Sequence, residues 1–150
     1  MIRKAGDADV GLVKAIAEAA YAPYAATLGK PPAPMVADFG AAQAAGDLFV
    51  LEQAGQVVAY IHLYRKEAVL HIENLAVHPS ARRQGLAGRL LDFAEEEARR
   101  RGISVLDLYT NVVMTEAQAL YERAGFTEIE RREVNGFHRI FLQRRLDVED

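Results

Sequence analysis

A short basic segment of this sequence has the residue types that bind phosphate groups. Arg82, Arg83 and Gln84 are followed by Gly85, and a predicted helix begins near Leu86. The first amides of a helix have no intrahelical partner and lie at its positive dipole end, so they attract anions. Glycine lets a ligand approach the backbone closely, and arginine adds charge-assisted hydrogen bonds. The same residues also fit an ordinary strand-to-helix turn with two solvated arginines, and their spacing alone leaves both interpretations open.

A carboxylate within an apolar strand is the second feature that could do chemistry. Glu73 lies in the middle of the predicted strand Val69–Val77, where an unpaired carboxylate is costly to bury. It could act as a base, or it could face solvent and pair with a cation. His71 shares the parity of Glu73 along the strand, so both side chains could face one side of the sheet. His71 could then serve as a second base, hold a water, or have a structural or substrate-shaping role.

The elements that position these residues alternate between strands and helices. Apolar periodicity and turn residues predict strands over residues 2–5, 48–52, 57–64, 69–77, 103–109, 126–134 and 137–144, and helices over residues 9–26, 35–45, 86–101 and 115–124. The strands between residues 48 and 77 form an antiparallel meander, and the helical crossover that follows implies parallel pairing with strand 103–109. The sequence therefore predicts an α/β or α+β fold with a mixed sheet, in one domain of 150 residues.

Four local patterns refine this outline. Residues 29–34 are rich in proline, which predicts a stiff non-helical connector. Thr115 and Gln118 have the spacing of a helix capping box. Asn135-Gly136 predicts a hairpin turn between the last two strands. Residues 144–150 are predicted to be a frayed tail.

Three stretches in a fixed order carry a family resemblance. Arg82-Arg83-Gln84-Gly85-Leu86-Ala87 fits the signature Gln/Arg-x-x-Gly-x-Gly/Ala, residues 73–79 match the strand before it, and residues 119–126 match the Tyr-x-x-x-Gly-Phe pattern after it. Over about residues 47–143 the sequence therefore resembles the GCN5-related N-acetyltransferases, the GNAT superfamily. The resemblance implies a mixed, mostly antiparallel central sheet flanked by helices, with a cofactor cleft between two splayed parallel strands.

The resemblance also implies an activity. Members of the superfamily use acetyl-CoA, or another acyl-CoA, to acylate an amine. We expect an N-acetyltransferase that acts on a primary amine of a small molecule by direct attack in a ternary complex, since no cysteine is available for an acyl-enzyme. Acylation of a protein N-terminus or lysine is the alternative among enzymes. A CoA-binding sensor without catalysis is the alternative of another class.

Site residues follow from the resemblance, position by position. Glu73 would be the general base and Tyr121 the general acid, although Tyr121 would also suit core packing. Asn111 falls where the superfamily often has a cofactor contact, but it would equally suit the turn before a helix. The remaining cofactor-binding residues would be Leu75, Ala76, Val77, Arg82, Arg83, Gln84, Gly85, Leu86, Ala87 and Gly88. Apart from the resemblance, residue type and position, with the proline-rich segment beside Tyr24 and Met35, predict an acceptor site that includes Tyr24, Met35, His71 and Tyr109, although these residues would also suit the core.

Composition excludes several other kinds of site and partner. The sequence has no cysteine, which rules out disulfides and thiolate chemistry, and its four histidines lack metal-ligand spacing, so we expect no metal. A net charge of −3 gives no electrostatic footprint for nucleic acid. Without an apolar signal region or a membrane-length run, we expect a cytoplasmic protein with no membrane partner. The family resemblance further implies a homodimer contact at Asn135-Gly136 and the adjoining strands.

Overall fold

The computed structural model describes residues 1–146, in which strands and helices alternate. The strands are β1 (Ile2–Lys4), β2 (Leu48–Gln53), β3 (Gln56–Lys66), β4 (Val69–Val77), β5 (Val105–Asn111), β6 (Thr127–Val134) and β7 (Phe137–Arg145). The helices are α1 (Val10–Leu28), α2 (Phe39–Ala44), α3 (Leu86–Arg100) and α4 (Thr115–Arg123). Within these residues the strands form a seven-stranded sheet in the order β1-β2-β3-β4-β5-β7-β6. β4 and β5 are parallel, whereas β1–β2, β2–β3, β5–β7 and β6–β7 are antiparallel, which confirms the predicted mixed sheet.

The chain divides into two compact units. Unit 1 comprises Met1–Leu63 and Asn74–Leu90, and unit 2 comprises Tyr64–Glu73 and the chain from Leu91 onward. The expectation of one domain stays a prediction. No helix within residues 1–146 is long and apolar enough to cross a membrane.

Unit 1 has a core formed by its helices and the first strands. In that core the ring of Phe39 from α2 meets the ring of Tyr60 from β3 edge-on, with centroids 5.2 Å apart. Apolar residues of α1, α2, β2 and β3 recur on the faces that pack together, as amphipathic elements require. The cluster comprises Ala5, Val13, Ile16, Ala17, Phe39, Ala42, Leu48, Val50, Tyr60 and Ala76.

Unit 2 positions its polar residues by strand alternation. Residues of β5 alternate in burial: Leu106 and Leu108 are buried, whereas Asp107 and Tyr109 are half-buried. The parallel ladder pairs His71 with Asp107 and ends at Ile72↔Leu108. The partly buried face of the sheet therefore holds polar and aromatic residues from neighbouring strands.

β6 is the last strand of the sheet and is exposed along nearly all of its length. Arg131 pairs with Glu128 at 2.9 Å, and Arg132 pairs with Glu130 at 2.9 Å. The turn before β7 follows the prediction, because Asn135 and Gly136 both have positive φ, at 52° and 80°.

The predicted helix over residues 35–45 is wrong in its first half. Residues Ala33–Val36 form a short 3₁₀ helix after Pro32, and α2 begins at Phe39. Its start is fixed by Asp38, whose Oδ1 accepts a hydrogen bond from the amide of Ala41 at 3.0 Å.

Two other local predictions need correction. Thr115 and Gln118 do not form a capping box, because Met114 precedes α4 without a side-chain cap and Gln118 Nε2 donates to the carbonyls of Asn111 and Val112. The predicted tail begins too early, since β7 runs through Arg145 and the backbone N of buried Leu146 donates to Ser104 O at 2.8 Å. The rest of that tail, residues 147–150, lies outside the described residues.

Candidate active site

The basic loop of unit 1, residues 82–85, has a left-handed backbone at two of its positions. Arg83 and Gly85 have positive φ values of 64° and 74°, and α3 follows at once, with the amide of Arg89 donating to Gly85 O at 3.1 Å. A Cβ added at Gly85 or Gly88 would meet no other group within 4 Å. The space beside these two glycines is therefore open, which leaves room for a pyrophosphate group near the start of α3.

Side chains of the loop contribute unequally to this surface. Arg82 and Arg83 are exposed, and Gln84 Oε1 accepts a hydrogen bond from Gln53 Nε2 at 2.6 Å. Leu86 is buried, so its backbone rather than its side chain can face a ligand. Ala87 and Gly88 are half-buried on the first turn of the helix.

The last residues of β4 present backbone groups in unit 1. Leu75 and Ala76 have buried side chains, and Val77 is half-buried. All three lie beyond the ladder with β5, which ends at Ile72↔Leu108. The carbonyl of Leu75 already accepts a hydrogen bond from the Tyr21 hydroxyl at 2.9 Å.

An imidazole between two carboxylates is the main polar cluster of unit 2. His71 Nδ1 lies 2.6 Å from Asp107 Oδ1, and His71 Nε2 lies 2.7 Å from Glu73 Oε2. The His71 side chain is 9% exposed, whereas those of Glu73 and Asp107 are 33% and 30% exposed. Burial alone would lower the pKa of His71, but hydrogen bonds to Asp107 and Glu73, reinforced by their charges, raise it to about 9.

Aromatic rings surround this cluster. Tyr64 meets His71 edge-on at 5.4 Å between centroids, and Tyr109 stacks on it at 6.2 Å. The guanidinium of Arg139 lies 4.1 Å from the centroid of the Tyr109 ring. Burial and the charge of Glu73 raise the pKa of Tyr109, and Arg139 partly opposes them.

Tyr121 is buried within unit 2. It lies on α4, and its ring meets Phe126 edge-on with centroids 6.1 Å apart. Burial raises the pKa of its phenol to about 12. The hydroxyl therefore stays protonated in neutral solution, as a proton donor must. The ring contact also gives it the packing role that the sequence left open.

The other predicted residues have different surroundings. Asn111 is buried, and its Oδ1 accepts a hydrogen bond from the Val113 amide at 3.1 Å, which is the turn role that the sequence left open. In unit 1, Tyr24 is half-buried on α1, and Met35 is half-buried in the 3₁₀ helix after Pro32. No group of three or more His, Cys, Asp or Glu within residues 1–146 is arranged to hold a metal ion.

Sequence reasoning missed one member of the cluster, Asp107, and one neighbour, Arg139. Asp107 is a carboxylate in an apolar strand, the same signal that pointed to Glu73, but a parallel register cannot be read from one strand. Arg139 stands directly opposite Asn111 in the β5–β7 ladder, and only that ladder brings it to Tyr109. Both residues reach the cluster through strand pairing.

A comparison with known families identifies the chain. Residues 13–126 match the acetyltransferase (GNAT) family. The chain belongs to this family. The matched range contains the basic loop, Glu73 and Tyr121, so the predicted resemblance is confirmed.

Two curated relatives resemble parts of this GNAT chain. The aminoalkylphosphonate N-acetyltransferase of Salmonella typhimurium is 35% identical over 80 residues, which are 49% of this chain and 52% of that protein. The ribosomal protein bS18-alanine N-acetyltransferase of Escherichia coli is 38% identical over 82 residues, which are 53% of this chain and 54% of that protein. Each match thus spans about half of the relative's length.

Solved structures share the fold over nearly the whole GNAT chain. The ribosomal-protein-S18-alanine N-acetyltransferase from Escherichia coli superposes with a TM-score of 0.80 at 24% identity, covering 100% of this chain and 96% of that one. The PaiA N-acetyltransferase from Thermoplasma acidophilum, crystallised in complex with coenzyme A, superposes with a TM-score of 0.77 at 15% identity, covering 97% and 98%. At these sequence identities, the structural similarity shows a shared fold and nothing more.

The raised pKa of His71 predicts a pH-dependent contribution to stability. Because the pKa rises from 6.5 to about 9 on folding, the stabilisation is complete below pH 6.5 and is lost as pH rises through 9. We expect the difference in unfolding free energy between wild type and His71→Gln to shrink over that window by up to about 3 kcal/mol. Chemical denaturation at several pH values measures it. His138→Gln, at an exposed histidine of β7, is the control, and a difference that does not change with pH would contradict the prediction.

Proposed function

We propose that this protein is an acetyl-CoA-dependent N-acetyltransferase that acylates a primary amine by direct attack in a ternary complex. The observation that carries the proposal is the family match over residues 13–126, which contains the open basic loop and both candidate proton-transfer residues. The absence of cysteine supports direct transfer without a thiol acyl-enzyme. The expected homodimer and the cytoplasmic location stay predictions.

The basic loop is proposed to hold the pyrophosphate of the cofactor. Backbone amides from Gly85 to Gly88 would donate to it, and Arg82 and Arg83 would add positive charge. The backbone of Leu75, Ala76 and Val77 would hydrogen bond the pantetheine arm. Asn111 is the weakest member of this set, because its side-chain oxygen is already used by the Val113 amide.

Proton transfer is assigned to two side chains of unit 2. Acetyl-CoA, when bound, supplies the thioester that the amine attacks. Glu73 would remove a proton from the amine, since an ammonium group cannot act as a nucleophile. Tyr121 Oη keeps its proton because burial raises its pKa to about 12, and it would donate that proton to the leaving sulfur.

The acceptor is proposed to be a primary amine of a small molecule. The similarity to the aminoalkylphosphonate N-acetyltransferase supports this class. The acceptor-site residues expected from the sequence, Tyr24, Met35, His71 and Tyr109, stay predictions. The N-terminal amine of a protein is the second candidate, supported by the 38% identity to the bS18-alanine enzyme.

Gly85→Ala should weaken cofactor binding beyond its effect on stability. Gly85 has a φ of 74° and Gly102, at the end of α3, has a φ of 69°, so alanine at either position costs about 1–2 kcal/mol of unfolding free energy. Saturating acetyl-CoA should raise the melting temperature of wild type and Gly102→Ala by roughly 5–10 °C. Only Gly85→Ala should lose most of this rise in thermal melting, with ATP and NADH as ligand controls. An equal rise in both variants would place the cofactor elsewhere.

Glu73→Gln and Tyr121→Phe should each lower kcat by about 100-fold or more, because general acid–base catalysis contributes that much. Both should keep the melting shift with acetyl-CoA, since neither residue is assigned to the cofactor. Release of the CoA thiol measures turnover, and Glu67→Gln, in the exposed turn before β4, is the control. Unchanged turnover in both variants would remove these role assignments. A cofactor shift in a wild type that acylates no amine would indicate a CoA-binding protein without catalysis.

An aminoalkylphosphonate should be acylated with a higher kcat/KM than a short peptide with an N-terminal alanine. Tyr24→Phe and Met35→Ala should change the KM for the preferred acceptor and leave the KM for acetyl-CoA unaltered. Steady-state kinetics with both acceptors provide the measurement. A higher kcat/KM for the peptide would assign the second candidate instead.

A further inference from the structure

We propose that Glu73, His71 and Asp107 form one proton-accepting unit, in which Glu73 takes the proton from the amine, His71 receives it, and Asp107 positions the imidazole. This inference rests on the proposed function and deepens it. It makes Asp107 a positioning residue for the reaction, although it need not touch the substrate.

Strand pairing fixes the geometry of the unit. His71 and Asp107 are register partners in the parallel ladder, and Glu73 follows His71 on the same face of β4. Both ring nitrogens are occupied, at 2.6 Å by Asp107 and at 2.7 Å by Glu73. A rotation of the ring would break both contacts, so the imidazole is held with Nε2 towards Glu73. These short distances are typical of charge-assisted hydrogen bonds.

The exposures give the three residues different tasks. The His71 side chain is 9% exposed, so it is poorly placed to meet an acceptor amine directly. Glu73 is 33% exposed and can reach both a ligand and the imidazole. Asp107 is 30% exposed and holds Nδ1 from the other side of the ring.

The proton balance is simple. The observed contacts, in which both ring nitrogens can donate to carboxylates, are those of the imidazolium that the transfer produces. Before transfer, His71 is neutral, as it becomes at alkaline pH: its Nδ1–H donates to Asp107 Oδ1, and its Nε2 carries no proton. An N–H bond of the substrate ammonium breaks, the Glu73 carboxylate takes the proton, and a proton passes from Glu73 to His71 Nε2. One N–H bond is lost and one is formed, while the charge of the unit changes from −2 to −1, as two carboxylates gain an imidazolium between them. The electron pair of the broken N–H bond stays on the nitrogen and becomes the lone pair that attacks.

The electrostatics suit this task better than a lone carboxylate would. An alkylammonium has a pKa of about 10, far above that of an ordinary carboxylic acid, so a single carboxylate is a weak acceptor for its proton. The pKa of His71 is raised to about 9, so the pKa of the proton acceptor lies close to that of the alkylammonium donor. Two carboxylates face the His71 imidazole, Asp107 from β5 and Glu73 from β4. The phenol rings of Tyr64 from β3 and Tyr109 from β5 also face it, and Arg139 from β7 lies over Tyr109.

Asp107→Asn tests the coupling without any acceptor. Protein labelled with ¹⁵N-histidine is titrated by NMR, and His71 is assigned from the signal that disappears in His71→Gln. We expect His71 to titrate near pH 9 in wild type and in the Glu67→Gln control, and about one unit or more lower in Asp107→Asn, because a neighbouring negative charge is removed. An unperturbed His71 in wild type, or the same titration in Asp107→Asn, would overturn the proposal.

The pH dependence of turnover tests the catalytic part. The probe is whichever of the aminoalkylphosphonate and the alanine peptide wild type acylates. In wild type, kcat should rise with pH up to about 9, since neutral His71 is the active form. In Asp107→Asn the rise should move to lower pH and the plateau should fall by about 10-fold or more. The KM for acetyl-CoA should not change, and Asp107→Glu should recover part of the plateau.

The outcomes separate this inference from the proposed function. Turnover with a pH profile that is identical in wild type and Asp107→Asn would overturn the proton-accepting unit and leave the acetyltransferase intact. Absence of acetyl transfer by wild type would overturn both, even where the NMR titration shows coupling. Loss of folding in Asp107→Asn would appear in its melting curve. The titration of His71 in wild type then decides, because an unperturbed His71 overturns the proposal.

Discussion

The parallel pairing of β4 with β5 is the constraint on which the functional part of this protein depends. Parallel strands cannot be joined by a tight turn, so the chain must cross over through a helix before β5 begins. That requirement produces α3, and the N-terminus of α3 follows the basic loop at once. The same ladder sets His71 beside Asp107. The start of α3 and the position of the buried imidazole thus follow from the same strand pairing.

Burial and hydrogen bonding act in opposite directions on that imidazole. An imidazole taken out of water should favour its neutral form, yet the two carboxylates reverse the preference and raise the pKa of His71 to about 9. The rings of Tyr64 and Tyr109 pack against His71, whose side chain is 9% exposed, and low exposure strengthens each charged contact. A site of this kind stays protonated in neutral solution and becomes a base only towards alkaline pH.

The sequence predicted elements best where apolar periodicity decides the structure. The bounds of β4 and the start of α3 agree with the prediction because a buried strand and an amphipathic helix leave clear patterns. The capping box at Thr115 failed because Gln118 bonds two carbonyls of the preceding turn instead of capping the helix. α2 was drawn too long because the start of a short helix depends on one side chain, Asp38, rather than on periodicity.

Long-range strand pairing explains why part of the candidate site could not be predicted from the sequence. Glu73 was found because a carboxylate interrupts an apolar strand, and Asp107 does the same on β5. The role of Asp107 can be inferred only from the parallel ladder, which places it beside His71, 36 residues away in the chain. The family resemblance pointed to Tyr121, but whether its ring also packs against Phe126 depends on the tertiary structure.

The charged strand at the end of the sheet has a consequence for how the protein behaves when crowded. An edge strand offers unpaired backbone groups to any other extended chain. On β6, Arg131 and Arg132 lie in pairs with Glu128 and Glu130, and such exposed pairs add little to folding stability. Charged side chains on an edge strand make the addition of another strand less favourable. The edge therefore protects the protein against aggregation by strand addition.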